Sequence, residues 1–312
     1  MGLITLEPTV DHKEFRTPSP PITPARRDRG ARVRDEQSPM FSTTRSWRHT
    51  TVGHVTLAIV ALFCVFPIVW MFFTSFRPAS DFFTSGLWPS GFSMSNYSAA
   101  LSAIPIWMLL WHTIVTSLCV SAGALFLALL AAYSFARFHF RGQNLLFLLF
   151  IGSWLVPFQV TMLPNYVLLY HLGLLNSLVG IIVPQLSSAF AVMLLRQHLK
   201  AFPTELLEAA RLDGLSAWRT LWRVVVPNLG PALAALGILL FVSQWNEYFW
   251  PLLVYRTPDS VIQMGIQGFL NSFTVNYGAL MAASALATLP IFIIYAVLQR
   301  RLVNAFVRSG LR

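Results

Sequence analysis

Phe202-Pro203-Thr204-Glu205-Leu206-Leu207-Glu208-Ala209-Ala210-Arg211-Leu212-Asp213-Gly214 stands between two apolar runs, about 178–195 and 230–254. Each run approaches or exceeds the roughly 20 residues a helix needs to cross a bilayer. The stretch between them is polar and carries its own helix signals. Thr204 is placed to cap an N-terminus, and Glu205 suits the positive end of a helix dipole. Gly214 adopts positive φ without penalty and makes a natural stop. The spacing therefore predicts a short capped helix from Thr204 to Asp213, with Ala209 and Ala210 presenting little side chain, so that another protein approaches the backbone closely. A second helix is expected from Ser216. Trp218, Leu221, Trp222 and Val225 recur at i, i+3, i+4 and i+7, an apolar stripe suited to a membrane surface, with Arg219 and Arg223 facing elsewhere. Pro227 is expected to end it and turn the chain into the next apolar run. The whole polar segment, 196–228, reads as an elbow fixed to spans at both ends.

The rest of the chain fits that frame. Hydrophobic residues make up 55% of the 312 and charged residues 11%, where a soluble domain carries about 25% charged. The fold class expected is an all-α membrane protein of six transmembrane helices, near 54–76, 107–135, 145–169, 178–195, 230–254 and 277–298. Outer segments are expected at 77–105 and 255–275. Small residues cluster in the second span (Ser117, Ser121, Ala122, Gly123, Ala124) and the sixth (Ala282, Ala283, Ser284, Ala285), where they let helices approach in lipid. Trp107, Trp111, Trp250 and Tyr255 fall near expected interfaces.

The net charge of +10 is topological. Nine Lys and Arg precede residue 54, two lie near Arg137, five between Arg196 and Arg223, and four at Arg300, Arg301, Arg308 and Arg312. Only Arg77 and Arg256 fall on the other side. Twenty against two is the positive-inside pattern, with both termini cytoplasmic. It explains the basicity without nucleic acid. Residues 1–50, with Pro18, Pro20, Pro21 and Pro24 before Arg26-Arg27-Asp28-Arg29, read as a disordered basic tail, either solvated or touching anionic headgroups. Cys64 and Cys119 are expected as buried free thiols, and no Cys/His cluster points to a metal. Lys13 and Lys200 are the only lysines, and neither follows the glycine loop of a G-x-x-x-x-G-K-[ST] nucleotide site. No catalytic residues are expected.

Glu208-Ala209-Ala210, Gly214 and Pro227 match E-A-A-x3-G-x9-I-x-L-P, the inner-loop signature of ABC importer permeases, with Val224 and Val226 replacing Ile and Leu. With Trp245-Asn246-Glu247-Tyr248 and Pro251-Leu252, the chain over 54–312 resembles the carbohydrate-uptake branch, of the maltose-transporter type. That resemblance implies the type I importer transmembrane fold and a partner set: a second permease subunit, two cytoplasmic ATPase subunits that hold ATP and Mg²⁺, and an external solute-binding protein. It implies a coupling helix, with Thr204, Glu205, Glu208, Ala209, Ala210, Arg211, Asp213, Gly214 and Pro227 serving ATPase coupling. The end from Arg300 to Arg312 either reaches the ATPase or anchors the topology.

Polar residues inside spans are the default pathway candidates. These are Gln159, Asn165, Gln185, Ser187, Ser188, Gln244, Asn246 and Glu247, whose amides and hydroxyls suit sugar hydroxyls. Pro157, Pro164 and Pro184 interrupt the helices around them. Each candidate also has a structural reading as interhelical glue, favoured for His112, while Glu247 is equally suited to pairing with Arg256. The expected cargo is a sugar or related polar solute. A phosphorylated polyol such as glycerol phosphate is the alternative, and an ion-coupled secondary transporter is a second, although no midplane carboxylate or inverted repeat supports it.

Overall fold

The computed structural model describes residues 47–78, 91–255, 257, 260–271 and 275–309. The chain divides into Met1–Leu57 and Ala58–Arg312. Of the first unit, residues 47–57 are described, and they are helical. The tail expected over 1–50 therefore lies outside the described residues up to 46, and its last four residues already belong to a helix.

All the regular elements among the described residues are helical. A long helix, α1 (Trp47–Ser75), is followed by α2 (Ser95–Ala103) and α3 (Ile106–Arg137). Next come α4 (Gln143–Gly152) with a 3-10 turn at Ser153–Leu155, then α5 (Phe158–His171). The pair α6 (Leu178–Ile182), with its 3-10 turn Val183–Gln185, and α7 (Ala189–Lys200) leads into α8 (Thr204–Leu212). The elbow continues as α9 (Ala217–Thr220), a π turn (Leu221–Val225) and α10 (Val226–Asn228). The chain ends with α11 (Gly230–Trp245), α12 (Phe249–Val254), α13 (Ile262–Leu270) and α14 (Tyr277–Ser309).

Three stretches are long and apolar enough to cross a membrane unbroken: Thr51–Ser75, Ile106–Arg137 and Tyr277–Val297. Three bent pairs complete six when each counts as one span: α4 with α5 at 97°, α6 with α7 at 44°, and α9–α10 with α11 at 81°. The first bend falls at Pro157, which forces Val156 to an extended φ/ψ of −75°/117° because its ring clashes with a helical predecessor. The expected fifth span also divides: α11 has 16 residues, or ~24 Å, less than the ~30 Å of a hydrocarbon core. The sixth runs on as helix to Ser309, beyond its expected end. Both outer segments contain helices the sequence did not announce, α2 and α13.

The long α3 is the central post, packing against α7, α11 and α13. Its stripe of Ser117, Ser121, Ala124, Ala128 and Ala132 is buried, as close helix packing in lipid requires. One core joins its carboxyl half to α7, α8 and the elbow through Leu195, Leu199, Leu221 and Val225. A second joins its amino end to α2, α11, α13 and α14 through Ile106, Leu109, Trp245 and Ala282. Cys64 and Cys119 are free but exposed, not buried. They sit on helix faces that turn outward, where lipid solvates a thiol as well as a core does. In the same way Phe63 and Leu62 of α1 are bare, which an apolar solvent permits.

The end of α1 is tied to α2 by side-chain hydrogen bonds. Asn96 of α2 is buried, and its amide donates to the carbonyls of Ser75 (3.0 Å) and Arg77 (2.7 Å). Tyr97 and Ser75 share a further hydroxyl contact of 2.8 Å. Any Cβ on Gly278 of α14 would collide with the Asn96 carboxamide. We predict that Asn96→Ala and Gly278→Val each lower unfolding stability by about 1–3 kcal/mol, the cost of orphaning buried carbonyls. Thermal melts of the purified protein check this, and unchanged melting temperatures would contradict it.

Candidate functional site: the inner elbow and the helix breaks

The docking helix predicted from the sequence is present, and its carboxyl end closes as Gly214 requires. Gly214 has φ +74°. Its N–H donates to Arg211 O at 3.0 Å, and the Leu215 N–H donates to Ala210 O at 3.0 Å. That pair of bonds is a Schellman closure, which satisfies carbonyls the helix would leave open. The amino end differs from expectation. Thr204 is the first helical residue, and Pro203 occupies the cap position with no side-chain hydrogen bond. Proline fixes the turn by its own φ of −55°, so the hydroxyl has no capping task.

The helix separates into two faces. Leu207 and Ala210 are buried against the core, so Ala210 is not available to a partner as expected. Its methyl is small enough to let α8 lie close to the bundle. Glu205, Glu208, Ala209 and Leu212 recur at i, i+3, i+4 and i+7 and are all exposed. Leu212 is 89% exposed, a large apolar side chain at the tip that the sequence reading missed. Its spacing from Glu208 and Ala209 carries the signal. Arg211 and Asp213 are exposed beside them.

The second arm departs further. Ser216 caps it, its Oγ accepting from Arg219 N–H at 3.4 Å. Leu221 and Val225 are fully buried, whereas Trp218 is exposed. The four residues thus do not form one surface stripe. Trp222 stacks on Phe126 at 6.2 Å and meets Trp218 edge-on at 5.6 Å. Pro227 does not end the arm. It lies inside α10, and the bend falls after Asn228. Pro227 cannot donate to the carbonyl four residues back, and the preceding turn widens instead, with Val226 N–H bonded to Leu221 O.

What fixes the elbow to the bundle comes from α3. Tyr133 Oη donates to Ala217 O at 3.2 Å, and Arg137 Nη2 donates to the carbonyls of Leu199 and Phe202 at the carboxyl end of α7. A cation there also suits the negative end of the α7 dipole. Arg196 Nε donates to Phe135 O at 3.3 Å, and its guanidinium lies 3.8 Å from the Phe147 ring centroid. Neither Tyr133 nor Arg137 is legible as an anchor in sequence, because both bind main-chain carbonyls far along the chain.

The expected pathway residues divide between structural work and freedom. Ser188 Oγ caps α7 by accepting from Ala191 N–H at 3.2 Å. Gln185 reaches Ile181 O at 3.5 Å, and Asn246 donates to Val242 O at 2.8 Å. Glu247 Oε1 accepts from Trp250 N–H at 3.1 Å. Its alternative partner Arg256 lies outside the described residues. Gln159 and Ser187 are exposed, Asn165 is half-buried, and Gln244 is buried at the end of α11. His112 bonds Ser260 O at 3.0 Å, holding α3 to the segment before α13. Trp250, expected at an interface, is wholly buried and donates Nε1–H to Gly180 O at 3.1 Å, joining α12 to α6. Between α3, α11 and α14 an apolar groove of about 510 Å³ has Ser121 as its single polar side chain, and none of the expected pathway residues lines it. Among the described residues no group of three His, Cys, Asp or Glu is placed to hold a metal.

Comparison with known proteins follows this geometry. Residues 124–308, which include the whole elbow, match the family described as "Binding-protein-dependent transport system inner membrane component". The chain is 28% identical over 271 residues to the lactose transport system permease protein LacG of Rhizobium radiobacter, covering 86% of this chain and 99% of that one. It is 30% identical over 260 residues to the arabinooligosaccharides transport system permease protein AraQ of Bacillus subtilis (strain 168), covering 81% and 92%. Over 269 residues it is 29% identical to the sn-glycerol-3-phosphate transport system permease protein UgpE of Yersinia pestis, covering 82% and 95%. The fold matches a chain from the crystal structure of a bacterial ABC transporter involved in the import of the acidic polysaccharide alginate, with a TM-score of 0.73 and 24% identity over 83% of this chain and 98% of that one. Nothing in these likenesses supports the ion-gradient alternative.

Glu247 provides a test of the split between structural and pathway residues. Glu247→Gln keeps the Oε1 acceptor and is predicted to melt like the native chain. Glu247→Ala leaves the α12 amide uncapped and is predicted to lose about 1 kcal/mol. Equal melting of the two variants would show that the carboxamide oxygen does not hold α12.

Proposed function

This chain belongs to the binding-protein-dependent transport system inner membrane components, the permeases of ABC importers, and from that premise we propose how it works. It carries a sugar or oligosaccharide across a bacterial inner membrane as one half of a heterodimer with a second permease. Two ATPase subunits supply the energy, and ATP and Mg²⁺ bind there. The absence of a phosphate-binding glycine loop from this chain supports that division. An external binding protein delivers the solute to the outer segments. The positive-inside distribution of basic residues supports cytoplasmic termini and a cytoplasmic α8.

The observation that carries the proposal is the closed helix α8 with its exposed row Glu205, Glu208, Ala209 and Leu212. That row docks in the ATPase. When ATP closes the ATPase pair, α8 follows, and the buried Leu221 and Val225 carry the displacement to the core around α3. The carbonyl bonds from Tyr133 and Arg137 keep the elbow from yielding instead. The pathway then alternates between outward and inward access. Gln159, Asn165 and Ser187 remain available to solute hydroxyls, since none of their side chains makes a hydrogen bond within the described residues, whereas Gln244 is buried. The 29% identity to a glycerol-phosphate permease favours a second reading, a phosphorylated polyol.

Gly214→Pro tests the coupling role. Proline cannot adopt φ +74° and removes the N–H bonded to Arg211 O. The variant is expected to insert and fold in its spans while solute uptake falls to background and the ATPase no longer co-purifies. Normal uptake would sink the assignment of this loop. Titrating the cognate binding protein with oligosaccharides and with glycerol phosphate separates the two cargo classes.

A further inference from the structure

Behind the docking helix, beside the side chains that anchor the elbow, lies a cavity of about 180 Å³. It is lined by Tyr133 and Arg137 from α3, Leu207 and Arg211 from α8, and Ala217 and Thr220 from α9, and no acidic side chain reaches it. Two guanidinium groups facing one small space repel each other, and no acidic side chain among the described residues pairs with either. Arg137 commits Nη2 to the Leu199 and Phe202 carbonyls, yet its Nε is buried with no partner. A buried charged donor without a partner is costly. Arg211 is exposed, and its guanidinium makes no hydrogen bond or ion pair within the described residues. Thr220 is buried and brings a hydroxyl to the same cavity.

We propose that this cavity binds a phosphate-bearing anion, either free phosphate or the headgroup of an anionic lipid, between Arg137 and Arg211. Guanidinium forks match phosphate oxygens in shape and charge. The donors come from three elements, which suits a tetrahedral anion with acceptors on every side better than a planar carboxylate. A water occupies about 30 Å³ of liquid, so the space admits a phosphate group. An anion here crosslinks α3 to both arms of the elbow and stiffens the joint. The inference rests on the cavity alone, so it stands or falls separately from the transport reading.

The test uses the full chain in phosphatidylcholine nanodiscs, without ATPase. Inorganic phosphate and dihexanoyl phosphatidylglycerol are titrated separately, and native mass spectrometry counts bound adducts. A saturable single adduct is expected with at least one probe. Binding should weaken at least tenfold in Arg211→Gln, which removes a charge with no protein partner. It should weaken as much in Ala217→Leu, which fills the cavity and keeps both guanidiniums. Phosphate binding alone assigns a free anion, and phosphatidylglycerol binding alone assigns a lipid. Undiminished binding in both variants overturns the site, as does the absence of saturable binding by either probe.

Discussion

Every break in a helix at apolar depth must find partners for the backbone groups it frees, because no water is present to take them. That constraint orders this fold. Ser188 takes the amide of Ala191 where α7 begins, and Glu247 takes that of Trp250 where α12 begins. Trp250 then gives its own N–H to Gly180 O, so closing one break braces another. At the inner end the same rule operates through long cationic side chains, with Arg137 and Arg196 collecting carbonyls of Leu199, Phe202 and Phe135. Polar side chains that look like a solute pathway are therefore partly the means by which broken helices survive.

The joint between α3 and the elbow follows from this. Leu221 and Val225 lock apolar surface into the inner core, while Tyr133 and Arg137 fix main-chain atoms of α9 and α7. Apolar packing resists separation, and the directional bonds resist rotation. Under the proposed coupling role, a displacement of α8 reaches the central post through both kinds of contact. Within the elbow, the widened turn before Pro227 changes the register of the helical ladder.

Much of this was legible in the sequence because it depends on local rules. Hydropathy located the spans, and the requirement for positive φ located Gly214. What failed depended on distant atoms. Ala210 looks like an exposed alanine until Leu207 beside it is seen to face the core. The capping of α8 was assigned to Thr204 because propensity favours threonine there, whereas Pro203 already sets the backbone. Trp250 fits an interfacial girdle by position, but its indole N–H is drawn inward by a carbonyl seventy residues earlier in the chain. Pro227 interrupts a hydrogen bond as expected, yet the chain absorbs the loss by widening one turn and bends only after Asn228. The candidate pathway residues were chosen for being polar within apolar runs, and that criterion cannot separate a cap from a binding group.

The two faces of α8 answer to different masters. Leu207 and Ala210 are constrained by the packing of this chain, whereas Glu205, Glu208, Ala209 and Leu212 touch nothing that the fold needs. The carboxyl end is closed by its own amides, so changes on the outer face do not unravel it. Under the coupling role proposed for it, that face can be altered without disturbing the packing behind it.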